Sequence, residues 1–358
     1  MSLTSYRAAP PRVNRCENGK YGRCPQAAYV AIVTGLEKPK YGVRELQVRG
    51  TRSPCHARMF YIFQMSDRPA LRPSVAVGEA LRGVAHDILA EARAAIEDPA
   101  RSEAEAVHDF RRAMKRWRAL LRLLAPFLGP DARRLRDEAR DLAKELSGAR
   151  DAQSALDALD DLTKHGLALS PRSVAGLRGR IEAIRRSAET TLDAEMRRRL
   201  AGALDQAADA IERWPLHTLT FDAVADQLSR FYREARRLLP AHWPSADGEE
   251  LHELRKRVVI HRYQIDLIEP LWPRFVKVWS GETQRLRDRL GKHQDMLVLA
   301  SLTVPHGPLA PWRSRLADAI AERRAAHVGD AARIAARIFV EKPTALRRRL
   351  GTMWAVGR

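Results

Sequence analysis

His108, Arg111, Lys115, Arg118 and Arg122 step along the chain by three and four residues, inside the run VHDFRRAMKRWRALLRLL that begins at Val107 and holds no Gly or Pro. Residues at that spacing share one face of an α-helix. A ridge of one imidazole and four cations suits one kind of chemistry, the holding of a polyanion: Arg forks grip phosphate oxygens in pairs and Lys acts as a point charge. An ordinary solvated basic face is the competing reading, since charge runs on helices are common. Against it, like charges at this spacing repel one another. Asp109 is the only acid in the run, whereas the neighbouring RRLRDEARDLAKEL intersperses acids with its cations.

The whole composition leans the same way. The 358 residues carry a formal charge of +19, with 30% charged and only 6% aromatic residues. That balance suits a helical protein with Ala- and Leu-rich interfaces, and a polyanion, an anionic surface or an acidic protein as its partner. Residues 1–64 hold 11 Lys and Arg against three Glu, all three cysteines, many Gly and Pro, and no sustained helical period. They read as an irregular or disordered leader, or as a start-site artefact with translation beginning at Met65. Cys16, Cys24, Cys55 and His56 lack the CxxC pair of a zinc site, so no metal or cofactor is expected. No apolar run is long enough to span a bilayer and no secretory signal is evident, which predicts a cytoplasmic protein without membrane insertion.

The helical period that positions the ridge is nearly continuous from Val75. VAVGEALRGVAHDILAEARAAI predicts a first helix ending near Asp98-Pro99, and the ridge-bearing helix is expected to stop at Ala125-Pro126. A third is expected to run unbroken from Asp131 to about Lys164. A fourth starts after Ser170-Pro171, breaks or kinks around Gly202, and stops at Trp214-Pro215. The pattern then starts again. His252, Arg255, Lys256, Arg262 and Pro270 lie 144 residues after His108, Arg111, Arg112, Arg118 and Pro126, and Leu286, Leu290 and Asp295 follow Leu142, Leu146 and Asp151 by the same interval. Such self-similarity is the mark of an internal duplication. The expected fold is all-α: two pseudo-symmetric four-helix bundles, residues 75–215 and 216–350, with their cationic faces cooperating across a groove. Core residues repeat in any duplicated bundle, but a polar His-x-x-Arg face is not needed for packing. A structural role for the histidines stays open, with Asp151 and Asp295 as candidate partners.

The stretch His108-x-x-Arg111-x-x-x-Lys115-Arg116-x-Arg118, its counterpart His252-x-x-Arg255 with Arg262-Tyr263, and the segments LSGARDAQSALDAL and LGKHQDMLVLASL resemble the CHAD family, over roughly residues 75–350. The resemblance implies an all-helical fold with a basic central channel or groove that binds inorganic polyphosphate, with association to polyphosphate granules in some members. By position it assigns phosphate contacts to His108, Arg111, Arg112, Lys115, Arg116, Arg118, His252, Arg255, Lys256 and Arg262. Arg122 extends the first ridge, and Arg150, Arg289 and Lys292 are further basic candidates on the third helices. Where the first half has Lys115-Arg116 the second has Val259-Ile260, so an asymmetric site is expected, gripping harder through its first half. Arg257 and His261 are candidates to compensate for the missing pair, though on a helix they point elsewhere, and Arg347-Arg348-Arg349 reads as a solvated tail.

Polyphosphate offers neither bases to stack on nor edges to read, so a track of Arg and Lys suffices. Binders of single-stranded nucleic acid add aromatic platforms. Phe110 and Trp117 fall off the ridge and read as core, which leaves nucleic acid as a weak, salt-sensitive partner. Two functions of another class compete with this one. A histidine phosphotransfer protein also carries His with a basic residue three places on, but wants a small neighbour where Arg112 and Lys256 stand. An enzyme acting on polyphosphate would need a Glu-x-Glu-x-Lys strand, a Gly-rich phosphate loop or a carboxylate cluster for Mg²⁺, and the sequence has none of them.

Overall fold

A computed structural model describes residues 69–188 and 192–357. Contacts divide the chain into Met1–Arg58 and Met59–Arg358, and the described residues all belong to the second unit. The expectations for residues 1–64, the cysteines included, lie outside the described residues.

Among the described residues there are eleven α-helices and no strands. They are α1 (Val77–Glu97), α2 (Glu103–Leu128), α3 (Pro130–Glu145), α4 (Arg150–Lys164), α5 (Pro171–Ser187) and α6 (Ala194–Glu212), then α7 (Phe221–Arg237), α8 (Gly248–Asp266), α9 (Pro273–Leu302), α10 (Arg313–Ile338) and α11 (Pro343–Val356). Short polar side chains start many of them. Ser102 and Glu105 form a capping box at the head of α2, and Asp247 and Glu250 do the same for α8. Such a box satisfies two of the N–H groups that a helix start leaves without partners.

Three helix limits differ from the sequence reading. Pro126 does not end α2. It omits one backbone bond, yet its ring faces solvent while Leu124 and Leu128 stay buried, and the turn closes through Gly129 N–H to the Ala125 carbonyl at 3.1 Å. Gly129, at φ +60°, then redirects the chain into α3, with Pro130 as its first residue. The expected long third helix is two helices. Ser147 bonds the Lys144 carbonyl through its N–H at 3.0 Å and through its hydroxyl, which closes α3, and α4 restarts at Arg150. Gly202 lies inside α6, held there by buried Leu200 and Leu204, and the break falls between Ser187 and Ala194.

Two apolar cores form. The larger joins residues of α1, α2, α3, α6, α7, α8, α9 as far as Leu290, the second half of α10, and α11. Phe110 and Trp117 are both in it, and Trp117 stacks on Trp214 with centroids 5.8 Å apart. The smaller joins α4 and α5 to the second half of α9 and the first half of α10. Helices from both sides of residue 215 therefore enter both cores. The ridge helix α2 packs against α8, and α4 packs against α9. The C-terminal arginines are no tail: they lie in α11, where Arg347 bridges Asp222 and Asp226, and Arg349 pairs with Glu341 and covers the rings of Phe275 and Trp279. No described helix is long and apolar enough to cross a membrane.

Candidate anion-binding cavity

Between α2 and α8, and bounded by the head of α4, the end of α5 and the middle of α9, lies a cavity of about 1110 Å³. Its wall brings together eleven of the basic and histidine residues singled out from sequence: His108, Arg111, Arg112, Lys115, Arg118 and Arg122 on α2, Arg150 on α4, and His252, Arg255, Lys256 and Arg262 on α8. Arg185 and Arg287 join them, so eleven Lys and Arg face Glu103, Asp157 and Asp295 as the only acids of the lining. Val259 and Ile260 make the second ridge thinner, as their positions opposite Lys115 and Arg116 in the 144-residue register predict.

Most of these cations are not neutralised. Lys115, Arg118, Arg122, Arg150, Arg255 and Arg262 make no salt bridge among the described residues; Arg112 pairs with Asp109 at 3.1 Å and Lys256 with Glu253. The Nε atoms of Arg118, Arg255 and Arg262 and Nδ1 of His252 are buried there without a hydrogen-bond partner. Arg111 donates to the Leu146 carbonyl at 3.2 Å, an acceptor in the joint between α3 and α4. In the second half α9 runs straight through the corresponding positions, and Gly291 makes room there: a Cβ at 291 would stand 3.1 Å from the guanidinium of Arg255.

The crowding shows in the proton affinities. Burial first, then Arg111, Arg150, Arg287 and Arg255, pushes Lys115 down to about 8. Its side chain is reachable from the cavity yet ringed by protein and by cations. Burial, followed by Lys256, holds His252 below the ordinary histidine value, although Glu249 opposes the effect. Arg111, Arg118, Arg122 and Arg255 are all lowered, by burial first. Asp295 is raised by burial even though the Ser154 hydroxyl and Arg255 favour its charged form. Neither Asp151 nor Asp295 holds a cavity histidine through a hydrogen bond among the described residues.

Three sequence candidates stand elsewhere. Arg116 is one residue past Lys115, a rotation of about 100° around the helix, and it meets Glu91 and Asp87 on α1. Arg289 faces α10 and pairs with Asp330 at 3.3 Å. Lys292 binds Asp161 at 2.8 Å. Asp161 is buried and also accepts from Arg323 at 3.0 and 2.9 Å, with His327 Nε2 at 2.9 Å, so this carboxylate joins α4, α9 and α10. The converse cases are Arg185 and Arg287, cavity residues with no ridge spacing and with Gly329 and Ala143 at the register positions 144 residues away. Only tertiary packing reveals them.

An all-helical protein built around a cationic cavity is the class that fold and site define. The CHAD domain model matches residues 79–303, and the chain belongs to that family. A solved structure described as the CHAD domain from the plant Ricinus communis is similar at 18% identity and a TM-score of 0.47, covering 80% of this chain and 95% of the other. No curated protein matches. Among the described residues no group of three or more His, Cys, Asp or Glu could hold a metal ion.

Proposed function

We propose that the chain binds inorganic polyphosphate in the cavity between α2 and α8, without catalysing a reaction on it, and that this binding attaches the protein to polyphosphate granules. The observation that carries the reading is the gathering of eleven Lys and Arg around one cavity with three acids. Two like charges 4 Å apart repel by about 4 kcal/mol at the effective dielectric near a protein surface. Folding gains nothing from such a cluster, whereas a chain of phosphates turns each repulsion into attraction. The lining has Tyr263 as its one aromatic, with Arg262 over its ring at 5.2 Å, so a base has little to stack on. Nucleic acid is accordingly the weaker ligand, and a salt-sensitive one.

We read the two ridges as products of one duplication, two pseudo-symmetric helical units that face each other over a basic groove. In support, α1 and α7 start at Val77 and Phe221, 144 residues apart, which is the interval between His108 and His252. The phosphates would meet His108, Arg111, Lys115, Arg118 and Arg122 from one side and His252, Arg255 and Arg262 from the other.

The test is competition at fixed salt among long-chain polyphosphate, single-stranded RNA, heparin and ATP. Polyphosphate should win clearly; equal binding of all four would reduce the cavity to generic basicity. If about six phosphates are neutralised, the logarithm of affinity should fall with the logarithm of salt at a slope of about −4, on single-strand behaviour. A fluorescent fusion that ignores granules in cells rich in polyphosphate would remove the localisation part alone.

A further inference from the structure

Where α2, α3, α7 and α8 converge lies a second cavity, of about 310 Å³, which shares Arg122 with the first. Its other charged residues are Arg136, Arg230, Arg257 and Glu234. The single carboxylate is divided: Glu234 takes Arg257 at 2.9 Å and lies 4.0 Å from Arg230. Arg122 and Arg136 have no salt bridge among the described residues, and Arg230 lies over the Phe231 ring at 4.8 Å with its Nε buried and without a hydrogen bond. Four guanidiniums thus meet one acid. Arg122 stands between the two clusters, its charge opposed by Arg118 on the main-cavity side and by Arg136 and Arg257 on the other.

We propose that this second cavity is an exit subsite, which takes the phosphates of a polyanion that leaves the main cavity past Arg122. The inference rests on the function proposed above and adds a length requirement to it: the preferred ligand is a polymer long enough to occupy both cavities, and the protein grips an internal stretch of it. A small anion fills one cavity only. Arg257, off the second ridge by its helical position, here acquires a part, since it points to the far side of α8 where the outgoing chain passes.

The experiment compares tripolyphosphate with long-chain polyphosphate on the whole chain, as wild type, Arg136→Gln and Arg136→Gln/Arg230→Gln. Arg133→Gln/Arg134→Gln serves as a control, because these exposed residues of α3 pair with acids of their own helix. Loss of two phosphate contacts should weaken long-chain binding about tenfold and make the salt slope shallower by about 1.4. Tripolyphosphate affinity should stay within about twofold, the single variant should fall between, and the control should match wild type. Helical circular dichroism checks that the variants fold, which the single change keeps testable if the double does not. Equal losses on both ligands, or no loss on the long chain, overturn the subsite while the main cavity keeps its function. A second equivalent of tripolyphosphate that vanishes in the double variant also overturns it, by making the cavity a separate small-anion site. A wild-type protein that holds neither probe overturns the proposed function, and the subsite with it.

Discussion

Lys115 is the residue whose surroundings make the sharpest statement about the cavity. Its ammonium is held down to about 8 by burial and by four arginines, so in the empty protein it releases its proton within the mildly alkaline range. A bound anion restores the charged form and raises that value. Binding therefore takes up a proton between the free and the bound value, and affinity falls as pH rises through about 8. Calorimetry in buffers of different ionisation enthalpy should show this uptake, and Lys115→Met should abolish it above pH 7.5 while leaving the acid side intact. His252 acts in the same sense at lower pH, because its free value lies below that of an ordinary histidine. Its limb starts below about 6.5 and runs up to the value of the bound form, and a wild-type affinity flat from pH 5 to 9 would remove both groups from the site. Asp161 illustrates the opposite use of charge. It is buried at 5% exposure with Lys292, Arg323 and His327 around it, and those partners hold its carboxyl far below the usual range. Asp161→Asn leaves those cations facing an amide, and should cost about 3 kcal/mol in denaturant unfolding, as loss of one member of a buried pair does. Polyphosphate affinity should change little in that variant at temperatures where it stays folded.

Among the helices, what was legible in the sequence was whatever repeats with the helical period. The extent of α1, the ridge of α2 with its counterpart on α8, and the core positions of Phe110 and Trp117 all follow from spacing alone. What was not legible depends on a neighbour in space. Arg116 has the same type and nearly the same position as Lys115, but acids on α1 lie in its direction. Arg289 and Lys292 look as basic as Arg287, yet Asp330 and Asp161 take them. The joint between α3 and α4 escaped because Leu and Ala favour a helix while one Ser and one Gly oppose it only modestly; the bonds of Ser147 to Lys144 and of Arg111 to the Leu146 carbonyl decide it. His261 is a further case, a histidine of α8 that lies just off the ridge yet is fully enclosed by Tyr232, Trp279 and Phe339. Burial alone pushes it down to about 3. A histidine whose folded value is depressed stays neutral in the fold, so its contribution is complete above the unfolded value near 6.5 and is lost as pH falls below it. Each such residue steepens acid unfolding by about 1.4 kcal/mol per pH unit across that window. His261→Phe should remove one such increment between pH 6 and 4; a variant with the wild-type slope in chemical denaturation would show that the ring does not report on this core.

At the scale of the whole molecule, the net charge of +19 and the two cores set a conflict that a bound polyanion would relieve. The main cavity is walled by α2 and α8, which belong to the larger core, and by α4, which belongs to the smaller, while α9 contributes to both. Repulsion among its cations acts to separate these walls, and apolar packing along α9 and α10 holds them. Salt and ligand must then influence stability in distinguishable ways. Raising salt from low to about 1 M shortens the screening length from tens of ångströms to about 3 Å. It should raise the melting temperature of the empty protein by weakening the repulsion. Polyphosphate at about 100 times its low-salt Kd should add about 2.7 kcal/mol of stability, a shift of some 5 °C or more for a domain of this size. Because its affinity falls with salt, that increment should shrink as the baseline climbs, and the two melting curves should converge near 1 M. Differential scanning calorimetry over a salt series reads both effects at once. Curves that stay equally far apart at every salt concentration would mean that the ligand is held by something other than the charge of this cavity.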